Sequence, residues 1–115
     1  MKETENKENC ICDSPPFNYK NYLNIVEFNK GDAEIEIKKC KYCHQNWLRY
    51  YVDYNLPYIK TGRWYLGKIQ EIEISKITFE NAIYYLEKLE WYYYGGTYFN
   101  SLGKKGNGKL NLSIY

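Results

Sequence analysis

Tyr22-Leu23-Asn24-Ile25-Val26-Glu27-Phe28, followed by Asn29-Lys30-Gly31-Asp32 and then Glu34-Ile35-Glu36-Ile37-Lys38, runs almost directly into Cys40-Lys41-Tyr42-Cys43. The first segment is rich in β-forming residues, the second carries turn chemistry, and the third alternates polar and apolar side chains. Together they predict a β-hairpin. A hairpin that ends at Cys40 sets a Cys-x-x-Cys claw at a strand end, the usual position of a zinc knuckle.

A second, tighter claw lies upstream at Cys10-Ile11-Cys12. Ser14-Pro15-Pro16 then ends local structure, because proline fixes φ and has no amide hydrogen, so the first claw is expected to fold back beside the second. Two bidentate thiolate claws satisfy a tetrahedral ion, and Cys10, Cys12, Cys40 and Cys43 are therefore the expected ligands of a structural Zn2+. Four sulfurs fill four positions and leave none for water or substrate, so the metal is expected to hold structure rather than catalyse. Lys38, Lys39 and Lys41 flank the second claw and are expected to offset its negative charge. Such an ion contributes on the order of 10 kcal/mol to folding, decisive for a domain whose stability is about 5–15 kcal/mol. The competing reading is four buried or redox-active free thiols. Cys40 to His44 also spells the C-x-x-C-H signature of c-type haem, but that attachment belongs to exported proteins and Met1 is the sole methionine. His44 is expected to cap the knuckle rather than to act as a base.

The chain has 115 residues, the size of one domain. Residues 1–9 are charged and amide-rich without an apolar core, so they read as a disordered tail rather than a secretory signal, with a single domain over 10–115. No apolar run approaches the roughly 18 residues of a spanning helix, which predicts a cytoplasmic protein, and in a reducing compartment paired cysteines favour metal over disulfide. The formal charge is +2. Four thiolates subtract four charges and the dication restores two, leaving the holoprotein near neutral, with no global field to draw it to nucleic acid.

Downstream of the knuckle, Trp47 to Tyr54 alternates like a half-buried strand. Arg63-Trp64-Tyr65-Leu66 begins another, with Gly67 as a candidate bulge before alternation resumes in Glu71-Ile72-Glu73-Ile74. Thr78 reads as a helix N-cap, and Phe79, Ala82, Ile83, Leu86 and Leu89 recur at helical spacing, which predicts one helix over about 78–90. Trp91-Tyr92-Tyr93-Tyr94 is a strand-forming run closed by Gly95-Gly96, and Leu110 to Ile114 alternates as a last strand. The expected fold class is α+β, mainly an antiparallel sheet with one helix and a zinc-knuckle or ribbon-like four-cysteine site.

Gly103-Lys104-Lys105-Gly106-Asn107-Gly108-Lys109 matches most of a phosphate-loop pattern but lacks the following Ser or Thr, and no helix follows it. It reads as a basic hairpin turn, with Lys104, Lys105 and Lys109 as a candidate basic patch. Glu71 with Glu73 and Glu87 with Glu90 sit at spacings that exposed faces produce routinely, and no nucleophile, base and orienter are associated, so no enzyme is expected. Fifteen tyrosines exceed what a small core encloses. Tyr92, Tyr93, Tyr94, Tyr98 and Phe99 are therefore candidates for a partner-binding surface, weighed against a sheet face merely covered by rings.

The helix start at Thr78-Phe79-Glu80, with the aromatic run ending in Tyr94-Gly95-Gly96-Thr97-Tyr98-Phe99, resembles small cytoplasmic bacterial proteins of the toxin-immunity kind. The resemblance covers roughly the last third of the chain and carries over no individual functional residue. It implies a protein toxin as partner. The resulting expectation is a non-catalytic, zinc-stabilised protein-interaction domain, with a toxin-neutralising immunity role as the implied task. The alternative is a nucleic-acid-binding zinc-ribbon-like module that uses the basic turn and its aromatics.

Overall fold

In a computed structural model, residues 10–13, 17–53, 62–96 and 103–110 are described. They form one six-stranded antiparallel sheet in simple sequence order: β1 (Tyr22–Lys30), β2 (Ala33–Cys40), β3 (Asn46–Val52), β4 (Arg63–Ile69), β5 (Tyr92–Gly95) and β6 (Lys104–Gly106). The predicted hairpin is β1 and β2, paired from Tyr22 with Cys40 to Lys30 with Ala33. Its two-residue connection carries Gly31 at φ 61°, the left-handed conformation that primed hairpin turns reserve for glycine. A register shift at Ile25 leaves that residue unpaired on the edge strand.

Alternation along the strands gives the sheet two different faces, and each is buried. On the first, Ile35, Ile37, Leu48, Tyr50 and Tyr65 pack with Ala82 and Leu86 of the short helix α1 (Ala82–Glu87). On the second, Cys12, Phe17, Tyr22, Cys40, Trp47, Trp64, Leu66 and Tyr93 form a separate aromatic and thiol cluster. Phe17 meets Trp64 edge-on with ring centroids 5.6 Å apart and lies 5.0 Å from Tyr93. The N-terminal arm thus roofs the second face, as α1 roofs the first.

Several expectations change. The helix spans Ala82–Glu87 rather than 78–90, because Thr78 and Asn81 cap each other across a turn: the Thr78 amide donates to Asn81 Oδ1 at 2.7 Å and the Asn81 amide to Thr78 Oγ1 at 3.3 Å. Helical geometry starts only after that turn closes. Glu71-Ile72-Glu73-Ile74 is not a strand but part of a 3-10 helix, Glu71–Lys76, whose start is fixed by the Gln70 amide donating to Glu73 Oε1 at 3.1 Å. A local side chain to backbone bond overrides the alternation there. Gly67 hosts no bulge. It lies inside β4, where a Cβ would strike the Leu86 and Leu89 side chains, so its bareness lets α1 and the turn after it lie on the sheet. Gly103 to Lys109 is not a plain turn, since Lys104–Gly106 pairs with β5. The tail over 1–9 and the last strand beyond Leu110 lie outside the described residues, as do Tyr98 and Phe99.

Candidate metal centre

The knuckle forms because the β2 strand stops at Cys40 and its backbone turns sharply. The Cys40 amide donates to the Gln45 carbonyl at 2.9 Å, and the His44 amide donates back to the Cys40 carbonyl at 3.1 Å. His44 sits at φ 66°, the one positive φ among the described non-glycine residues. That strained conformation lets the chain reverse around Cys43. His44 therefore shapes the knuckle through its backbone, and its exposed imidazole is not part of the ligand group.

The four thiols converge. Cys10 Sγ lies 3.7 Å from Cys40 Sγ, Cys12 Sγ lies 3.5 Å from Cys43 Sγ, and all four sulfurs fall within 4.8 Å of one another. These separations are far beyond the roughly 2.05 Å of a disulfide, so the cysteines are free. Four sulfurs each about 2.3 Å from one ion would be spaced by about 3.8 Å, so the cluster is close enough to coordinate a metal. Two amides already point at one ligand: those of Tyr42 and Cys43 approach Cys40 Sγ at 3.3 and 3.5 Å. Burial works against ionising Cys40, but these amides outweigh it and hold its thiol below the usual range. Cys12 behaves oppositely. Burial, reinforced by its hydrogen bond with Cys43, pushes its thiol far up, and the Trp47 indole offsets part of that rise. The Trp47 N–H is buried without a hydrogen-bond partner among the described residues, and its nearness to the Cys12 sulfur favours the thiolate there.

The first claw is held against the sheet by contacts that its sequence does not announce. Tyr22 donates its hydroxyl to the Cys12 carbonyl at 3.1 Å. Asp13 accepts from Lys68 Nζ at 2.7 Å through one carboxylate oxygen and from the Tyr93 hydroxyl at 2.8 Å through the other. The Tyr93 hydroxyl also reaches the Asp13 carbonyl at 3.0 Å. Lys68 lies over the Trp47 and Trp91 rings, 5.6 and 5.5 Å from their centroids. Asp13 was legible only as the residue after a claw, Lys68 carried no signal, and Tyr93 read as a partner-surface candidate rather than as a brace for the claw, because the bracing partner is more than fifty positions away. Of the flanking lysines, Lys38 acts differently from expectation. Lys38 is buried and committed to Glu36 at 3.0 Å and to Asn24 Oδ1 at 2.8 Å.

A second acidic group, Glu27, Glu34 and Glu36, also gathers its carboxylates within 4.8 Å. It brings its own cations, since Arg49 reaches Glu36 at 3.1 Å alongside Lys38. Burial opposes ionisation of Glu36, yet Arg49 and Lys38 hold its carboxyl low; burial and the Glu36 charge push Glu34 up to about 7.

Of the expected aromatic partner surface, Tyr92 and Tyr93 turn out to be buried, while Tyr98 and Phe99 lie outside the described residues. Tyr92 and Tyr93 are 3% and 6% exposed, one in each core, and serve the chain's own packing. Tyr94 alone of that run is open, at 37%. The lysines of the basic patch are exposed, but Lys105 lies 4.2 Å from the Trp91 ring centroid and is engaged within the chain. Exposed apolar surface gathers elsewhere. Of eight large exposed hydrophobic residues among those described, five, Ile11, Tyr19, Leu23, Ile25 and Tyr42, lie on the two claws or the segments bonded to them. The Lys41 amide, 2.9 Å from the Asn21 carbonyl, ties the knuckle to the turn that carries Tyr19.

Among the described residues, no helix is long and apolar enough to cross a membrane. Compared with known proteins, the chain matches no family model, no curated protein and no solved structure.

Proposed function

We propose that this protein is a non-catalytic interaction domain whose sheet is stapled by a structural Zn2+ bound to Cys10, Cys12, Cys40 and Cys43. The observation that carries the reading is the convergence of four sulfurs within 4.8 Å of one another, close enough for one ion to reach all four. An all-sulfur set closes the coordination sphere and suits zinc, and a cytoplasmic setting keeps such thiols reduced. The apolar residues around the claws supply the contact surface, in place of the buried Tyr92 and Tyr93. Leu23 and Ile25 lie on an edge strand, where a partner gains main-chain as well as side-chain contacts. The partner class we propose is a protein toxin, the class implied by the resemblance of the C-terminal third.

Elemental analysis of protein purified without chelators should give one zinc per chain; metal-free, folded protein would remove the staple from the proposal. For the surface, the binding partner to use is the product of the open reading frame adjacent to this one. Leu23→Ser combined with Tyr42→Ser should weaken its binding at least tenfold, with zinc content unchanged, whereas Tyr94→Ala should leave it intact. Equal affinities for wild type and the double variant would discard this surface.

A further inference from the structure

All four sulfurs lie within 4.8 Å of one another, and the two sulfur–sulfur hydrogen-bond contacts, Cys10 with Cys40 and Cys12 with Cys43, each join one claw to the other. We propose that the centre is a hydroperoxide-reactive site that oxidises across the claws, Cys12 to Cys43 and Cys10 to Cys40, exchanging its metal staple for two disulfides. The inference deepens the zinc reading and rests on the same cysteine cluster.

Three observations carry it. The cross-claw sulfurs are 3.5 and 3.7 Å apart, so a modest side-chain rotation closes either bond. Access is graded: Cys43 is exposed while Cys12 is 1% exposed directly behind it, which makes Cys43 the sulfur a small hydroperoxide meets first and Cys12 the resolving partner. The arm also carries hydrogen bonds of its own, Asp13 to Lys68 and Tyr93 and Tyr22 to the Cys12 carbonyl, which add to the sulfurs in keeping the two claws opposed while the first bond forms. A bond within the knuckle would have to draw Cys40 Sγ away from the Tyr42 and Cys43 amides that hold it.

In the metal-bound centre the cysteines are thiolates. The Cys43 sulfur attacks one oxygen of the hydroperoxide, the O–O bond breaks, and the departing alkoxide takes a proton from water as an alcohol. Cys43 becomes a sulfenic acid. The Cys12 sulfur then attacks the Cys43 sulfur, the S–S bond forms, and hydroxide leaves and is protonated to water. Two thiolates have given up two electrons to one hydroperoxide. A second equivalent oxidises Cys10 and Cys40 in the same way, after which Cys10, Cys12, Cys40 and Cys43 would have no thiolate left to hold a zinc ion. Each new bond joins positions thirty or more apart, so the arm stays tied to the sheet.

The test treats zinc-loaded protein with measured equivalents of hydrogen peroxide, follows released zinc with a chromogenic chelator, and maps linked peptides without reduction. Two equivalents should release one zinc and yield the Cys12–Cys43 and Cys10–Cys40 peptides. The oxidised protein should then melt well above the reduced protein stripped by chelator. Sulfenic acid trapped with dimedone early in the reaction should map to Cys43 rather than to Cys12. A dominant Cys40–Cys43 linkage, sulfinic or sulfonic products without disulfides, or thiols untouched by a tenfold excess would each overturn the proposal. Zinc in the untreated protein is scored separately: loaded protein with the wrong linkage sinks only this inference, and metal-free protein that still links across the claws sinks the zinc reading and the metal exchange while the cross-claw oxidation stands.

Discussion

The two faces of this sheet are buried by opposite means. On the helix face, Ile35, Ile37, Leu48 and Leu86 fill space with aliphatic side chains, and α1 fits closely because Gly67 offers no Cβ. That face needs nothing but apolar area and shape. On the cysteine face the same strands present Trp47, Trp64, Tyr93 and the buried Glu36, Lys38 and Arg49, and the cover is an arm with little regular structure of its own. An arm of that kind cannot repay its ordering entropy by packing alone, so it is held by thiols and by hydrogen bonds from distant tyrosines and a lysine. The difference teaches that a single sheet can be robust on one face and conditional on the other, with the condition set by four sulfur atoms.

The largest effect should come from taking that condition away. On the proposed zinc reading, chelation of the metal, or Cys40→Ser, should cost on the order of 10 kcal/mol of apparent stability on the arm side, seen as loss of Trp47 and Trp64 burial by fluorescence. A holoprotein and apoprotein with the same melting curve would erase the contrast between the faces. Next, Leu86→Ala on the helix face should cost about 2–5 kcal/mol in denaturant unfolding while leaving zinc content at wild type. A loss of metal in that variant would mean that the faces are coupled through the strands.

Tyr93→Phe sharpens the comparison further, since it removes only the hydroxyl that donates to Asp13. The cost should be about 1.5–3 kcal/mol, typical of a hydrogen bond to a charged group, and zinc should dissociate faster while β4 and β5 keep their amide-exchange protection. The smallest effect concerns Glu34. Its carboxyl is pushed up from 4.5 to about 7 by burial and by Glu36, so the folded protein keeps a proton that the unfolded chain has already released. Stability is therefore lost as pH rises through that window, and Glu34→Gln should recover up to about 1 kcal/mol above pH 7 and little below pH 4.5. Glu36 runs the other way: Arg49 and Lys38 hold it low against burial, so its contribution is present above its unfolded value and fades as pH falls. Parallel pH profiles for wild type and the Gln variant would dismiss the Glu34 assignment.

Much of the cysteine centre was legible in the chain, because ligand spacing is a local property: Cys10-x-Cys12 and Cys40-x-x-Cys43 are claws whatever surrounds them. The hairpin was legible for the same reason, its turn and alternation lying within twenty residues. Misreadings arose where a short-range hydrogen bond competed with a pattern, as at Glu71–Lys76 and Thr78 to Asn81, or where one pattern served two faces, as at Tyr92 and Tyr93. Alternation there sends each ring to an opposite face, but it does not say that both faces are covered.

By itself, then, the order of residues determined the strands that alternate, the turn at Gly31 and the two claws, because each rests on contacts among near neighbours. Only the tertiary structure decided that Asp13 meets Lys68 and Tyr93, that Lys38 serves Glu36, and that Ile11, Leu23 and Tyr42 are left exposed. Those outcomes depend on which faces of distant strands are brought together, and no local periodicity encodes such a meeting.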